Sequence, residues 1–167
     1  MEKKTLAGLI VIVAVVAVLI FAGSAVLTEE KPLASISTQD SEYFEWESEI
    51  RDLESAHTDL LLDAMGPESV DLAGVERYVG MLYDDANKAL SEIDQFNVSP
   101  GFQPSKDEFK LSQQDLMRAG YYIERGASRN YNVDDLETGI DYLYSYFDHA
   151  TRSSLLCSDY IIHGNEE

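Results

Sequence analysis

Residues 133–161 read VDDLETGIDYLYSYFDHATRSSLLCSDYI, and apolar or small side chains recur along them at alternating steps of three and four. The repeat comprises Val133, Leu136, Ile140, Leu143, Phe147, Ala150, Ser154, Cys157 and Ile161. A period averaging about 3.5 residues keeps one helix face apolar over many turns and favours left-handed crossings near about 20°. The segment is also too long for a β-strand. It therefore predicts a long helix packed against others in a bundle.

Three earlier segments carry the same spacing. The first comprises Tyr43, Trp46, Ile50, Leu53, His57, Leu60 and Ala64. The second comprises Leu72, Val75, Val79, Leu82, Ala86, Ala89, Ile93 and Phe96. The third, with smaller residues, comprises Phe109, Ser112, Leu116, Ala119, Ile123 and Gly126. Together with residues 133–161 they predict four helices.

Helix-breaking residues separate the four segments. Gly66-Pro67 ends the first, and two prolines and a glycine in residues 97–104 end the second. Ser105 and Glu108 have the spacing of a capping box, and Asn132 is a candidate N-cap. Short connections make sequential helices antiparallel neighbours. The predicted fold is all-α: an up-down-up-down antiparallel four-helix bundle over 39–163, with a stack of helical repeats as the alternative.

The N-terminal segment has the character of a membrane span. Residues 6–27 contain no charged side chain, and a helix of that length spans roughly 33 Å, close to the bilayer core. Lys3 and Lys4 precede it, which places the N-terminus in the cytoplasm. We expect a cytoplasmic tail (1–5), a transmembrane signal anchor (6–27), a linker (28–38), the extracytoplasmic bundle, and a tail (164–167). If FAGSAV (21–26) is cleaved as a signal sequence, the domain is secreted.

Charge and cysteine content narrow the classes of function. The chain has 31 acidic and 12 basic residues, a formal net charge of −19. Such a charge repels nucleic acid and favours cations and basic partners. The one cysteine, Cys157, allows no internal disulfide, and a zinc site of the usual Cys/His spacing is absent from the sequence.

Glu54 and His57 form the motif of greatest chemical interest. Glu-x-x-His occurs in carboxylate-bridged di-iron bundles, which need it twice, and this chain has it once. We therefore predict no metal and no cofactor, and take both residues as candidates for ligand binding or pH sensing. The favoured interpretation of His57, however, is a core histidine bonded to a neighbouring side chain. Because no nucleophile elbow or phosphate loop occurs, we expect no enzymatic activity, with metal-dependent chemistry in the bundle core as the exception.

A partner surface is predicted where apolar side chains fall on outward positions of the repeat. Its members are Met81, Leu111, Met117, Tyr121 and Tyr142. The alternative is that they pack against a neighbouring helix or the linker. Asn97-Val98-Ser99 is a glycosylation sequon, weakened by the following Pro100.

The predicted membrane anchor and the predicted helical bundle together suggest a function. We expect a membrane-anchored extracytoplasmic interaction or scaffold module, holding a partner protein at the outer membrane face. The alternative is a solute- or cation-binding sensory-type domain that works with a separate transducer. The expected partners are the bilayer, through residues 6–27, and a second protein or another copy of the chain. Nucleic acid is not expected.

Overall fold

A computed structural model of the protein describes residues 36–64, 71–128 and 132–163. These ranges contain four α-helices: α1 (Thr38–Ala64), α2 (Leu72–Glu92), α3 (Gln103–Ser128) and α4 (Val133–His163). A 3₁₀ turn, η1 (Ile93–Gln95), continues α2. No strand occurs in the described ranges, so the prediction of an all-helical domain with four helices is confirmed for them.

None of the helices in these ranges combines the length and apolar character that a membrane crossing requires. The predicted span at 6–27, the tails at 1–5 and 164–167, and most of the linker lie outside the described residues.

Successive helices run antiparallel, because residue numbers of contacting pairs rise on one helix as they fall on the next. Between α1 and α2, Trp46 Nε1 donates to Glu92 Oε2 over 2.9 Å, and His57 contacts Asp85. The later pairs are Asp94–Lys110 and Tyr83–Gly120 between the α2–η1 segment and α3, and Ser153–Ser105 and Ser145–Asp115 between α4 and α3.

Apolar residues inside the domain form two clusters along its length. The first comprises Leu61, Ala64, Val75, Val79, Leu82, Ala86, Leu116, Ala119, Leu143, Tyr146, Phe147 and Ala150. The second, near the α1 N-terminus and the η1–α3 loop, comprises Tyr43, Ile50, Ala89, Ile93, Phe102, Phe109 and Cys157. Burial of this much aliphatic and aromatic surface is the main force that holds the helices together.

Glycines allow α3 and α4 to approach closely near their connection. At Gly139, an added Cβ would meet the side chain and backbone of Ile123 and the carbonyl of Ala119. At Gly126 it would meet Leu136. Because Cβ-free positions let two backbones come together, these glycines set the spacing of the pair.

Three details of the predicted pattern are wrong. Val133, assigned to the buried stripe of α4, is 45% exposed. Leu53 and Leu60, assigned to the buried stripe of α1, are exposed, whereas Glu47 and Glu54 are buried. The predicted stripe is buried at Tyr43, Ile50 and Ala64, but acids rather than leucines complete the interior face of α1. In α3, the helix already begins at Gln103, so Ser105 lies in the first turn and donates to Ser153 O over 3.0 Å. The capping box is therefore not formed by Ser105.

Candidate functional site

A row of buried carboxylates on α1 meets a row of hydroxyls on α4. Tyr146 Oη donates to Glu54 Oε2 over 2.8 Å, and Ser153 Oγ donates to Glu47 Oε1 over 3.2 Å. A third, longer contact joins Tyr160 Oη to Asp40 Oδ2 at 3.5 Å. On both helices the members are spaced by seven residues, so each lies on one face, two turns apart. We call these three pairs the carboxylate–hydroxyl ladder.

The ladder lies in the interior of the domain. Glu47 is 4% exposed, Glu54 2% and Asp40 fully buried. Buried carboxylates are costly unless hydrogen bonds or opposite charges compensate them. One basic side chain, Arg51, is placed among them: its Nε and Nη2 donate to Glu47 Oε1 over 2.9 and 2.5 Å.

Several buried oxygens around the ladder lack a hydrogen-bond partner within the described residues. They are Tyr43 Oη, Glu47 Oε2, Glu54 Oε1 and Gln113 Oε1. Burial raises the pKa of Glu54 to about 7 from its ordinary 4.5, against the hydrogen bond from Tyr146 and the charge of Arg51. Burial likewise raises the pKa of Tyr146 well above its usual value, with the Glu54 carboxylate adding to the effect. The carboxyl of Glu54 is therefore poised to change its charge near neutral pH.

Asp40 ties the start of α1 to the η1–α3 loop and to the end of α4. Its backbone N–H is capped by Ser37 Oγ at 3.1 Å, while Oδ1 accepts the Ser99 N–H at 2.8 Å. Ser99 Oγ lies 3.0 Å from Tyr160 Oη. Gly101 leaves room for the same ring, since a Cβ there would lie 2.4 Å from Tyr160 Cε2. These contacts close one end of the domain.

His57 is partly buried, and its Nδ1 forms a short hydrogen bond with Asp85 Oδ2 on α2. The residue thus faces α2, whereas Glu54 faces α4. Glu54 and His57 thus bond to side chains on different helices, although the charge of Asp85 also acts on the Glu54 carboxyl.

A second histidine lies among carboxylates between α3 and α4. His149 Nδ1 is 2.6 Å from Glu108 Oε2, and its Nε2 is 3.8 Å from Asp115 Oδ2. Ser145 Oγ donates to Asp115 Oδ2 over 2.5 Å, and Arg118 pairs with the other oxygen at 3.1 Å. Within the described ranges, no group of three or more His, Cys, Asp or Glu side chains is arranged to hold a metal ion.

Cys157 is buried in the second apolar cluster, as its place in the α4 repeat predicts. Burial raises the pKa of its thiol to about 12, with Glu47 adding to the effect. Because the thiolate is the reactive form, this environment favours an inert structural cysteine.

An aromatic surface with two arginines lies on α3 and α4. Tyr122 stacks on Tyr142 with centroids 5.7 Å apart and meets Tyr121 edge-on at 5.3 Å. Arg118 lies over Tyr142, and Arg125 over both Tyr121 and Tyr122, at 5.6, 5.3 and 4.9 Å. We call these five residues the tyrosine–arginine surface. Arg125 is also held by Asp135, with Nε to Oδ2 at 2.8 Å.

The residues predicted as a partner surface differ in how exposed they are. Tyr121 and Leu111 are exposed, whereas Met117 and Tyr142 are half-buried against the first apolar cluster. Met81 is half-buried on α2. Asn97 is exposed in the loop between η1 and α3. The structure thus brings Tyr121 and Tyr142 together, through Tyr122, and Met117 lies one turn before Tyr121 on α3.

No family model, no curated protein and no solved structure matches this chain.

Sequence reasoning identified Glu54 but missed the ladder to which it belongs. The signal that would have found it is the seven-residue spacing of Asp40, Glu47 and Glu54, matched by Tyr146, Ser153 and Tyr160 on α4. Acidic residues at heptad spacing are usually a solvated face, so the pattern is visible only when both helices are read together.

Proposed function

We propose that the protein is a membrane-anchored, extracytoplasmic interaction module. In this proposal residues 6–27 form a transmembrane signal anchor, and α1 to α4 form an up-down-up-down antiparallel four-helix bundle that holds a partner protein at the outer membrane face. The uncharged N-terminal segment and the antiparallel contacts between successive helices support this arrangement.

The tyrosine–arginine surface is the observation that carries the proposal. Tyrosine and arginine dominate the binding energy of protein interfaces, because they combine a large apolar area with polar groups at the rim. Here each ring and guanidinium is held by its neighbours. Side chains ordered in advance lose less conformational entropy when a partner binds.

The charge of the domain suggests the kind of partner. Exposed acids lie on the same two helices, among them Glu124, Glu137 and Asp141. With a net charge of −19 for the whole chain, the field favours a basic partner face and speeds its association. We propose a protein partner whose apolar centre is bordered by lysine or arginine side chains.

Site-specific photo-cross-linking tests the proposal. A photo-reactive phenylalanine replaces Tyr121, which is 50% exposed, or the control Tyr144, which is 44% exposed and outside the tyrosine–arginine surface. In cells that express the full-length chain, we expect one discrete adduct with a second protein from position 121 and none from position 144. Identical adducts from both positions, or none, would contradict the proposed surface.

The ladder favours a second candidate, a solute- or cation-binding sensory-type domain coupled to a separate transducer. Three buried oxygens of Glu47, Glu54 and Gln113 lack hydrogen-bond partners within the described residues, and such groups are costly unless something satisfies them. A thermal-shift panel of cations and small polar metabolites separates the candidates. A shift of several degrees supports the sensory reading, and silence across the panel removes it.

Catalysis is not part of either proposal. The exception that remains is metal-dependent chemistry in the bundle core. Metal analysis of the purified full-length chain without stoichiometric metal would remove that exception.

A further inference from the structure

The three carboxylates of the ladder differ in how their charge is compensated. Asp40 lies in the first turn of α1, where the helix dipole stabilises an anion, and accepts the Ser99 N–H. Glu47 pairs with Arg51 through two N–H donors. Glu54 has neither a helix terminus nor a paired arginine; among the described residues its carboxyl accepts from the neutral Tyr146 hydroxyl at 2.8 Å, with the neutral amide of Gln113 also close to it. Its Oε1 has no partner among the described residues.

The groups that face Glu54 from the surrounding helices do not provide a positive charge paired with its carboxylate. On α1, the guanidinium of Arg51 is engaged with Glu47, although its field still reaches Glu54. On α2, Asp85 has the same sign as Glu54 and is paired with His57. On α3 the neighbour is the neutral amide of Gln113, and on α4 it is the Tyr146 hydroxyl.

We propose that Glu54 is a proton-binding site whose occupancy sets how firmly α1 packs against α4. With the proton bound, a neutral carboxylic acid lies in the interior and the ladder closes without an uncompensated charge. With the proton lost, the interior holds a second carboxylate beside Glu47 with Arg51 as the shared cation, and the α1–α4 contact weakens.

The direction of the pH dependence follows from the environment of the carboxyl. Burial raises the pKa of Glu54 to about 7 in the folded chain, above the ordinary 4.5. A raised value in the folded state means that stability is fully present below about pH 4.5 and is lost as the pH rises through about 7. Acidification therefore tightens the α1–α4 contact, and alkalinisation loosens it.

This device is separate from the proposed partner surface. The residues of that surface lie on α3 and on the N-terminal half of α4, whereas Glu54 acts on α1, the helix that follows the linker and the proposed anchor. Failure of the cross-linking experiment would leave the proton site standing, and the reverse also holds.

Hydrogen exchange of the full-length chain in detergent tests the inference. Opening constants of α1 amides are measured at pH 5 and pH 8, corrected for the intrinsic pH dependence of exchange, and compared with those of α3. Glu49, an exposed acid on the same helix, provides the control variant Glu49→Gln. In wild type and in this control, the opening constants of α1 amides should rise roughly 100-fold from pH 5 to pH 8. In Glu54→Gln, which mimics the protonated carboxyl, the same constants should rise by no more than roughly 3-fold. Equal pH dependence in wild type and Glu54→Gln would overturn the proposal.

A second readout needs no variant. Carbon-13 NMR follows the carboxyl carbon of Glu54, assigned by through-bond correlation within its own side chain, from pH 4 to pH 9. A midpoint near pH 7 supports the proposal. A midpoint between about 4 and 5, the range of an ordinary glutamate, would overturn it.

Discussion

Replacing Arg51 with methionine is expected to destabilise the domain by about 3–4 kcal/mol. Methionine keeps the aliphatic stem that passes near the ring of Phe109, over which the guanidinium lies at 4.9 Å. It removes the cation that holds Glu47, however, and leaves that buried carboxylate with neutral hydroxyl donors such as Ser153. The figure is at the lower end for broken buried pairs because the Arg51 side chain keeps 29% exposure. Chemical denaturation at pH 8 measures it.

Arg152→Met is the matched control. Arg152 also follows its acidic partner, Asp148, by four residues, at 2.6 Å, but its side chain is 55% exposed. Exposed pairs of this kind contribute roughly 0.3–0.5 kcal/mol. Adding Glu47→Gln to Arg51→Met should recover part of the lost stability, because both charges are then removed. Equal losses from Arg51→Met and Arg152→Met would show that Glu47 is not buried as described.

Gly139→Ala is expected to cost about 1–3 kcal/mol in the free energy of unfolding. The new Cβ would lie 2.6 Å from Ile123 Cγ1, 3.1 Å from Ile123 N and 3.2 Å from Ala119 O. A side chain can rotate away, but the two backbone atoms can move only if α3 and α4 separate. The expected loss is net of the gain in helix propensity that alanine brings.

Gly80→Ala provides the control on α2. No heavy atom lies within 4 Å of a Cβ built at Gly80, so the substitution should stabilise the domain by about 0.5–1 kcal/mol. Thermal unfolding of both variants distinguishes the cases. If Gly139→Ala is as stabilising as Gly80→Ala, the close contact of α3 with α4 is not present in solution.

The helices could be predicted from sequence because each carries its own local signals. The α4 repeat buries Leu143, Phe147 and Cys157 as expected. Asn132 caps α4 as predicted, since its Oδ1 accepts the Asp134 N–H at 3.2 Å. Such signals lie within a few residues of one another, and one sequence is enough to detect them.

The face that α1 buries could not be predicted in the same way. Apolar Leu53 and Leu60 are exposed, while Glu47 and Glu54 take interior positions. A buried acid is tolerated only when a partner satisfies it, and the partners here are Arg51 on the same helix and hydroxyls on α4. Those hydroxyls lie about a hundred residues further along the chain, so no local pattern reveals them.

In the candidate sites, too, the residues could be predicted from local sequence, but the contacts between helices could not. That His57 bonds a neighbouring side chain was one of two predictions, but its partner, Asp85, depends on how α1 and α2 pack. Tyr121 and Tyr142 were identified as outward positions, whereas Tyr122 and the two arginines that join them were not. Contacts between α3 and α4 bring these side chains together, and a heptad count on either helix alone does not include them.

The ladder also provides a physical reason for the register of α1 against α4. A shift of one heptad would place Glu54 opposite Ser153 and would leave Tyr146 without its acceptor. Buried polar pairs fix register because a mismatched pair leaves charges unsatisfied, and burying polar groups costs some stability.

A double-mutant cycle between Glu54 and Tyr146 tests the central claim, that carboxylates on α1 pair with hydroxyls on α4. Unfolding free energies are measured at pH 8 for Glu54→Ala, Tyr146→Phe and the double variant, and again with exposed Tyr144→Phe in place of Tyr146→Phe. The account predicts a coupling of about 1.5–3 kcal/mol for the first pair, as for a hydrogen bond to a charged group, and none for the second. No coupling between Glu54 and Tyr146, or equal coupling in both cycles, would contradict it.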